Sequence, residues 1–358
     1  MASFESTFQE ICGIVSILTT SFLAFLILTK SPPKLGPYKW LMPYTSFFEL
    51  IYACLNFFVA PMQRNHKSVN IVFQDMDGIW LDHGTAVVFI LIYLTCFGSS
   101  MALFAVHFIY RYGAVNQDFY RTYLSGAKQL ILYFCPIISG VLWGLDCWVT
   151  MSENKETSDF MRSYIKEKFD LNIDHCAYIA LYFWRPDEHG KFHPDPTSFI
   201  GVGILYVILG CSFFCVLYFG IHCYLWISRK LGALENQSNA TKTLQTQFFY
   251  ALLVQAAIPF VLMYLPATIV FTAPMLNIDM DLKYPFVELT IAIYPVIDPL
   301  PTIFIVRHYR RGFLDILLCR RKHQVATNYT SKGVDSSSRP SVPNTNNHSK
   351  NMLGNVVS

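Results

Sequence analysis

Four carboxylates, Glu49, Asp146, Glu288 and Asp298, stand within or beside stretches of sequence apolar enough to cross a bilayer. An ionised acid at mid-membrane costs about 2.5–3.5 kcal/mol on insertion scales, so such groups turn to a bundle interior, to water or to a partner. Asp146 and Glu288 fall near the outer ends of their stretches, where an interfacial role suffices. Glu49 and Asp298 fall deeper: Glu49 is about ten residues from the inner start of its stretch, about 15 Å in at 1.5 Å per residue, and Asp298 is about eight from the inner end of its own. At similar depth the two can share a proton or a cation; the plainer alternative is that each bonds separately to hydroxyls and freed carbonyls. Around Asp298, Pro295, Pro299 and Pro301 remove backbone donors that lipid cannot replace. Catalytic arrangements are missing from the sequence: it has no His-Glu-x-x-His, no Ser-His-Asp pattern and no Gly-x-Gly-Asp. Its ten cysteines show no Cys-x-x-Cys spacing, which argues against zinc and against a secreted disulfide scaffold. No enzyme activity, metal or cofactor is expected.

The elements that hold these groups are long apolar helices. The chain is 53% hydrophobic and only 14% charged, with mean hydropathy +0.35, where a soluble domain carries roughly a quarter charged residues. Seven apolar blocks, at about residues 8–29, 40–62, 84–110, 129–151, 197–227, 247–272 and 285–306, each supply the roughly 20 residues that a spanning helix needs. The first block lacks a short positive flank and a small-residue cleavage site, so it reads as a span and not as a removable signal. An odd number of spans puts the termini on opposite sides. Lys and Arg collect on the loops after spans one, three and five and on the start of the tail as far as Lys322, fifteen against the three acids Asp118, Glu235 and Asp315, which places the N-terminus outside and the C-terminus inside. The Asn-x-Ser/Thr sequons at Asn236, Asn239, Asn328 and Asn347 then all fall on the inner side. The net charge of +3 reflects this asymmetry and is no sign of nucleic-acid binding. The fold expected is an all-α membrane protein, a seven-transmembrane helix bundle.

Outside the spans, residues 152–196 read either as a lid over the bundle mouth, with Tyr178, Tyr182, Phe183 and Trp184, or as a solvated connector. Residues 308–319 space Phe313, Ile316 and Leu317 as a short amphipathic helix on the inner leaflet, with Cys319 placed for palmitoylation. The seven-span domain thus covers 1–322, and the Ser/Asn/Thr-rich residues 323–358 are expected to be a disordered cytoplasmic tail. Arg111 stands at the inner end of span three between Tyr110 and Tyr112, where it reaches a cytosolic partner or a neighbouring helix, or simply anchors the span. In span six Pro259 and Pro266 allow a kink that swings or a static one, with Gln255 and Tyr264 nearby.

Several separated motifs together resemble the nematode seven-transmembrane chemoreceptors of the Str type, the group that includes the diacetyl receptor. They are Leu35-Gly-Pro-Tyr-Lys-Trp-Leu-Met42, His107-Phe-Ile-Tyr-Arg-Tyr112, Gln255-Ala-Ala-Ile-Pro259 with Met263-Tyr-Leu-Pro266, and Tyr294-Pro-Val-Ile-Asp-Pro-Leu-Pro301 with Tyr309-Arg310. In order they cover about residues 10–320. The resemblance implies a G-protein-coupled receptor in the ciliary membrane of sensory neurons, without implying diacetyl as ligand. The sequence departs from the wider rhodopsin-like pattern in three places. Tyr110 replaces the acid before Arg111, Thr302 stands where Tyr is usual after Asp298-Pro299, and the cysteine at the top of span three is missing near Gly84. Cys176 therefore lacks its expected partner; Cys147 is a substitute candidate, and the alternative is a free thiol.

The function expected is an olfactory or chemosensory receptor, multi-pass in the plasma membrane. A small, volatile molecule enters from outside between spans three, five, six and seven, with Gln255, Tyr264 and Glu288 as ligand candidates. Its binding shifts a pre-existing equilibrium. Span six moves at Pro259 and Pro266, and span seven rearranges around Tyr294, Asp298 and Pro299. The inner face near Arg111, Arg229 and Lys230 then engages a heterotrimeric G protein, with membrane lipids as the remaining partner. The alternative is a ligand-gated cation channel or other polytopic transporter, although no internal repeat of the transporter kind is visible.

Overall fold

The computed structural model describes residues 2–31, 38–77, 81–187, 189–233, 260–279 and 286–318, with 247, 249–251, 253–254 and 257–258 between them; within these, the side chains of 2–6, 38–39, 227–228, 230–233, 263, 286–288 and 291 are not described. The full chain divides into two units, Met1–Cys319 and Arg320–Ser358. The first unit is the helical bundle. The tail beyond Leu318, Cys319 with it, and all four sequons lie outside the described residues.

Five spans are single helices: α1 (Ala2–Lys30), α2 (Tyr38–Val59), α3 (His83–Val115), α5 (Leu130–Thr150) and α7 (Pro196–Ala233). A short α4 (Gln117–Phe119) lies in the inner loop after α3. Span two ends three residues before the apolar pattern does. Ala60 takes a left-handed turn at φ 41° and Pro61 cannot continue a helix. Span six carries a π-helical segment, Phe260–Tyr264, and then α8 (Leu265–Met275) with Pro266 in its first turn. The π turn lies where Pro266 removes a backbone donor, a usual site for a bulge or kink. Span seven is broken: α9 (Phe286–Ile297) stops at Asp298, and α10 (Pro299–Ile305) restarts at Pro299. The amphipathic α11 (Arg307–Leu317) follows. Its Phe313 packs edge-on against Phe22 and Phe304, and its buried Tyr309 bonds to Ser31 Oγ at 2.9 Å, while Leu317 faces outward.

The strands are an addition that the helical pattern did not announce. β1 (Met62–His66) and β2 (Val69–Asp75) form a hairpin turned at Lys67, which has φ 51°. β3 (Cys176–Tyr182) pairs antiparallel with β2, Val69 opposite Tyr182 and Asp75 opposite Cys176. β4 (Trp184–Pro186) and β5 (Phe192–Pro194) make a separate small ribbon. Alternation gives the three-stranded sheet two faces. Val72, Ala177, Ile179 and Leu181 join the bundle core. Val69, Ile71, Phe73, Tyr178 and Tyr182 pack instead with Met161, Tyr164 and Ile165 of α6 (Lys155–Phe169). The second outer segment is therefore a folded lid and not a solvated connector. Asn154 caps α6, its side chain accepting from Thr157 N at 2.9 Å. Glu153 fastens the lid to α3, accepting from Tyr178 N at 2.9 Å and facing His83 Nε2 at 2.8 Å. Beside it Asp82 caps α3; the hydroxyl and N–H of Thr85 hold its carboxyl below the usual range.

Glycine sets the closest helix approach. A Cβ at Gly140 of α5 would stand 2.0 Å from Ser99 Oγ and 2.5 Å from the Thr95 carbonyl of α3; one at Gly144 would stand 2.1 Å from Thr95 Oγ1. This is the small-xxx-small contact by which helices associate in lipid. Gly140→Val should lower the melting temperature of the purified protein, since overpacking costs about 1–3 kcal/mol. Gly203→Ala, with nothing within 4 Å of the new methyl, should leave the melting curve where it is.

Candidate functional site

Two cavities lie one above the other inside the bundle. The outer one lies beneath the lid sheet and, with the open space at its mouth included, measures about 760 Å³. Its apolar wall is Tyr93, Leu94 and Phe97 of α3, Trp143, Cys147 and Met151 of α5, Leu205 of α7, and Ala267 and Phe271 of α8. Its polar side is four primary amides: Gln9 of α1, Asn56 of α2, Gln63 of β1 and Asn70 of β2. Among the described residues no charged side chain lines it. A neutral, mostly apolar molecule with a hydrogen-bonding group matches that lining.

The inner cavity, about 550 Å³, is lined by Thr45, Ser46 and Glu49 of α2, Ser100 and His107 of α3, and Tyr294, Asp298 and Thr302 of span seven. Tyr93 of the outer wall and Ser100 of the inner are seven residues apart on α3, hence about 10 Å along the axis. Phenols fill the space between: Tyr52 stacks on Tyr93 with centroids 5.1 Å apart and donates to its hydroxyl at 2.9 Å. Tyr264 and Tyr294 belong to the same buried cluster.

Glu49 and Asp298 both line the inner cavity, reaching it from α2 and from the break between α9 and α10. The break is local chemistry. Pro299 has no N–H to give and Asp298 N still bonds to Tyr294 O at 3.0 Å, so the helix stops and restarts at the acid. His107 Nε2 lies 2.7 Å from Thr45 Oγ1 on the same wall. No three His, Cys, Asp or Glu side chains gather as a metal-binding group among the described residues.

The inner end differs from expectation. Span three runs on to Val115, so Arg111 lies a turn inside the helix; it is 2% exposed and offers no surface to a cytosolic partner. Tyr110 accepts a hydrogen bond from Gln129 Nε2 at 3.2 Å, and Tyr112 accepts one from Asn116 Nδ2 at 3.0 Å. Arg229 is exposed near the end of α7, whereas Lys230 is placed there by its backbone alone. Pro299 is buried. Tyr264 packs against Phe213 and Phe260 and is not on the outer cavity wall. Gln255, Pro259 and the side chain of Glu288 lie outside the described residues.

The pairing of Cys147 with Cys176 is not made. Both thiols are free, Cys147 on the cavity wall and Cys176 on the α6 face of the lid sheet. Ala180 N bonds to Met151 O, so Cys176 lies four residues back along the strand, about 13 Å at 3.3 Å each, too far for a disulfide to α5. Sequence reasoning missed Gln9, Asn56, Gln63 and Asn70. For Asn70 the available signal was the β-branched and aromatic run Val69-Asn-Ile-Val-Phe73; Gln9 and Asn56 lie on helices among apolar residues.

Three comparisons bear on this geometry. A family model described as serpentine type 7TM GPCR chemoreceptor Str matches residues 5–314. The chain is 32% identical over 319 residues to G-protein coupled receptor str-217 of Caenorhabditis elegans, covering 88% of this chain and 91% of the relative. It is 25% identical to serpentine receptor class r-10 of the same species, with 88% and 91% covered. Among solved structures it resembles squid rhodopsin, with TM-score 0.56, 11% identity, and 88% and 86% of the two chains covered; at that identity the likeness speaks for the seven-helix fold alone.

Burial pushes the Cys176 thiol up to about 12, helped by the charges of Asp75 and Asp77. At pH 8 it should stay unlabelled by a maleimide in the folded protein and react on denaturation. Dithiothreitol should not change the protein's mobility on a denaturing gel.

Proposed function

The chain belongs to the Str family of serpentine seven-transmembrane chemoreceptors, and on that premise we propose that it is an olfactory receptor of sensory neurons whose ligand site is the outer cavity. It is a multi-pass membrane protein of the G-protein-coupled kind. The observation that carries the finer reading is the uncharged outer cavity, closed over by a folded lid and lined on one side by aromatic and aliphatic groups. A small, volatile, neutral molecule fits that lining, and the ciliary membrane is where such a receptor would meet it.

In this reading the ligand favours one arrangement of the bundle and shifts its population. Span six, irregular at Phe260–Tyr264 and Pro266, is the element that moves. Its displacement uncovers Arg111, buried in this arrangement, for a G protein that also meets Arg229 and Lys230. The Glu49–Asp298 pair holds the resting arrangement by sharing a proton or a cation, because a carboxyl donates to its neighbour only while it carries a proton.

Cells expressing the chain with a calcium or cAMP reporter should answer some members of a panel of neutral volatile compounds, and G-protein blockade should abolish the answer. Ala267→Trp, which fills the outer cavity, should remove it at unchanged surface expression; a full response from that variant would place the ligand elsewhere.

Glu49→Gln and Asp298→Asn should each raise basal signalling, and the double variant should fall short of the product of the two effects. Independent, multiplicative effects would mean that the two acids act separately.

A further inference from the structure

The lid hairpin is bonded to span six in an unusual way. In α8, Pro274 follows Val270 by four residues and has no N–H, so the Val270 carbonyl loses its helical donor. Lipid offers no replacement. Asn65 of β1 supplies one from the lid: its Nδ2 donates to Val270 O at 2.6 Å. A carbonyl only accepts, so the amide orientation of Asn65 is fixed and its Oδ1 points the other way. That oxygen takes a hydrogen bond from Asn70 Nδ2 of β2 at 2.6 Å. The orientation of Asn70 is fixed in turn, which leaves its Oδ1 as the free end of the relay. Asn70 lines the outer cavity, is only 3% exposed, and among the described residues no side-chain group donates to that oxygen.

The geometry points to Asn70 as the polar reader of the ligand and to Asn65 as its link to span six. This rests on the outer cavity being the ligand site and deepens that reading: the ligand is a neutral, largely apolar molecule carrying a hydroxyl or N–H that donates to Asn70 Oδ1. Two further bonds tie the lid to the same end of span six, Trp184 Nε1 to Met275 O at 2.9 Å and Lys67 N to Asp279 Oδ1 at 3.2 Å. A ligand that pulls on Asn70 therefore acts on α8 beyond the Pro266 irregularity, where a small tilt of the outer end moves the whole helix below it. Asn65 is a positioning residue and does not touch the ligand.

The test uses the full chain in reporter cells and matched pairs of alcohols and their methyl ethers as probes. In the wild type the alcohol of an active pair should be more potent by about tenfold, the weight of one well-made hydrogen bond. Asn70→Leu should erase that difference. Asn65→Leu should keep the preference for alcohols but lower the maximal response. Because Asn65→Leu also strips a donor from Val270, it is paired with Pro274→Ala, which returns the helical donor. The double variant should regain surface expression without regaining the maximal response.

A wild type that answers alcohols and ethers alike, or neither, overturns the proposal. So does an Asn70→Leu variant that keeps the preference, or a double variant with the full response, which would make Asn65 a cap and nothing more. If Ala267→Trp silences the receptor while Asn70→Leu changes nothing, the cavity reading stands and this inference falls. If Ala267→Trp leaves the response in full, the cavity reading itself has failed.

Discussion

A backbone carbonyl that loses its helical donor inside a bilayer has no water to turn to, and much of this architecture follows from how such carbonyls are answered. Three irregular places in the bundle each have a proline. At Pro266 the helix before it widens into a π turn. At Pro299 span seven stops and restarts at a buried acid. At Pro274 the missing donor comes from the lid, through Asn65. The last case ties together regions distant in sequence, because an outer loop between spans two and three completes the hydrogen bonding of span six.

The two halves of the bundle are held by different forces. α3 and α5 meet through glycines, with backbone and small hydroxyls so close that a methyl does not fit. Such a contact has one good arrangement. Span six is joined to its surroundings by individual polar bonds: Tyr206 to Thr272 Oγ1 at 2.8 Å and Trp184 Nε1 to Met275 O at 2.9 Å. A polar bond can be exchanged for another of similar strength, with a net cost near 1 kcal/mol or less, so this is the half in which a second arrangement is affordable. The phenol layer of Tyr52, Tyr93, Tyr264 and Tyr294 lies where the two cavities approach.

The spanning helices were legible because charge is excluded from them in long blocks, and the break at Asp298 because proline and a carboxylate coincide there. The depth match of Glu49 and Asp298 could be read from helical rise alone. The lid could not. β2 is seven residues long and its partner β3 lies about a hundred residues on, a pairing that no local pattern encodes. For the same reason the cavity amides Gln63 and Asn70 were missed: a polar residue on a short strand looks like a loop residue until the sheet shows which face it takes. The reach of span three was underread because Arg111 looks like an aqueous border, yet the helix buries it and runs on to Val115.

That buried border has consequences for charge. Tyr110 stands where an acid would pair with Arg111, and its hydroxyl instead takes a hydrogen bond from Gln129 in the inner loop. His107 stands on the wall of the inner cavity, four residues before Arg111 on α3, its ring bonded to Thr45 of α2. A buried guanidinium is tolerated only where its surroundings stay organised, and here that organisation comes from α2, α3 and α7 together. His107 is thus both bonded to α2 and carried by the helix that buries Arg111, so α2 and the inner end of α3 are held together at the cavity.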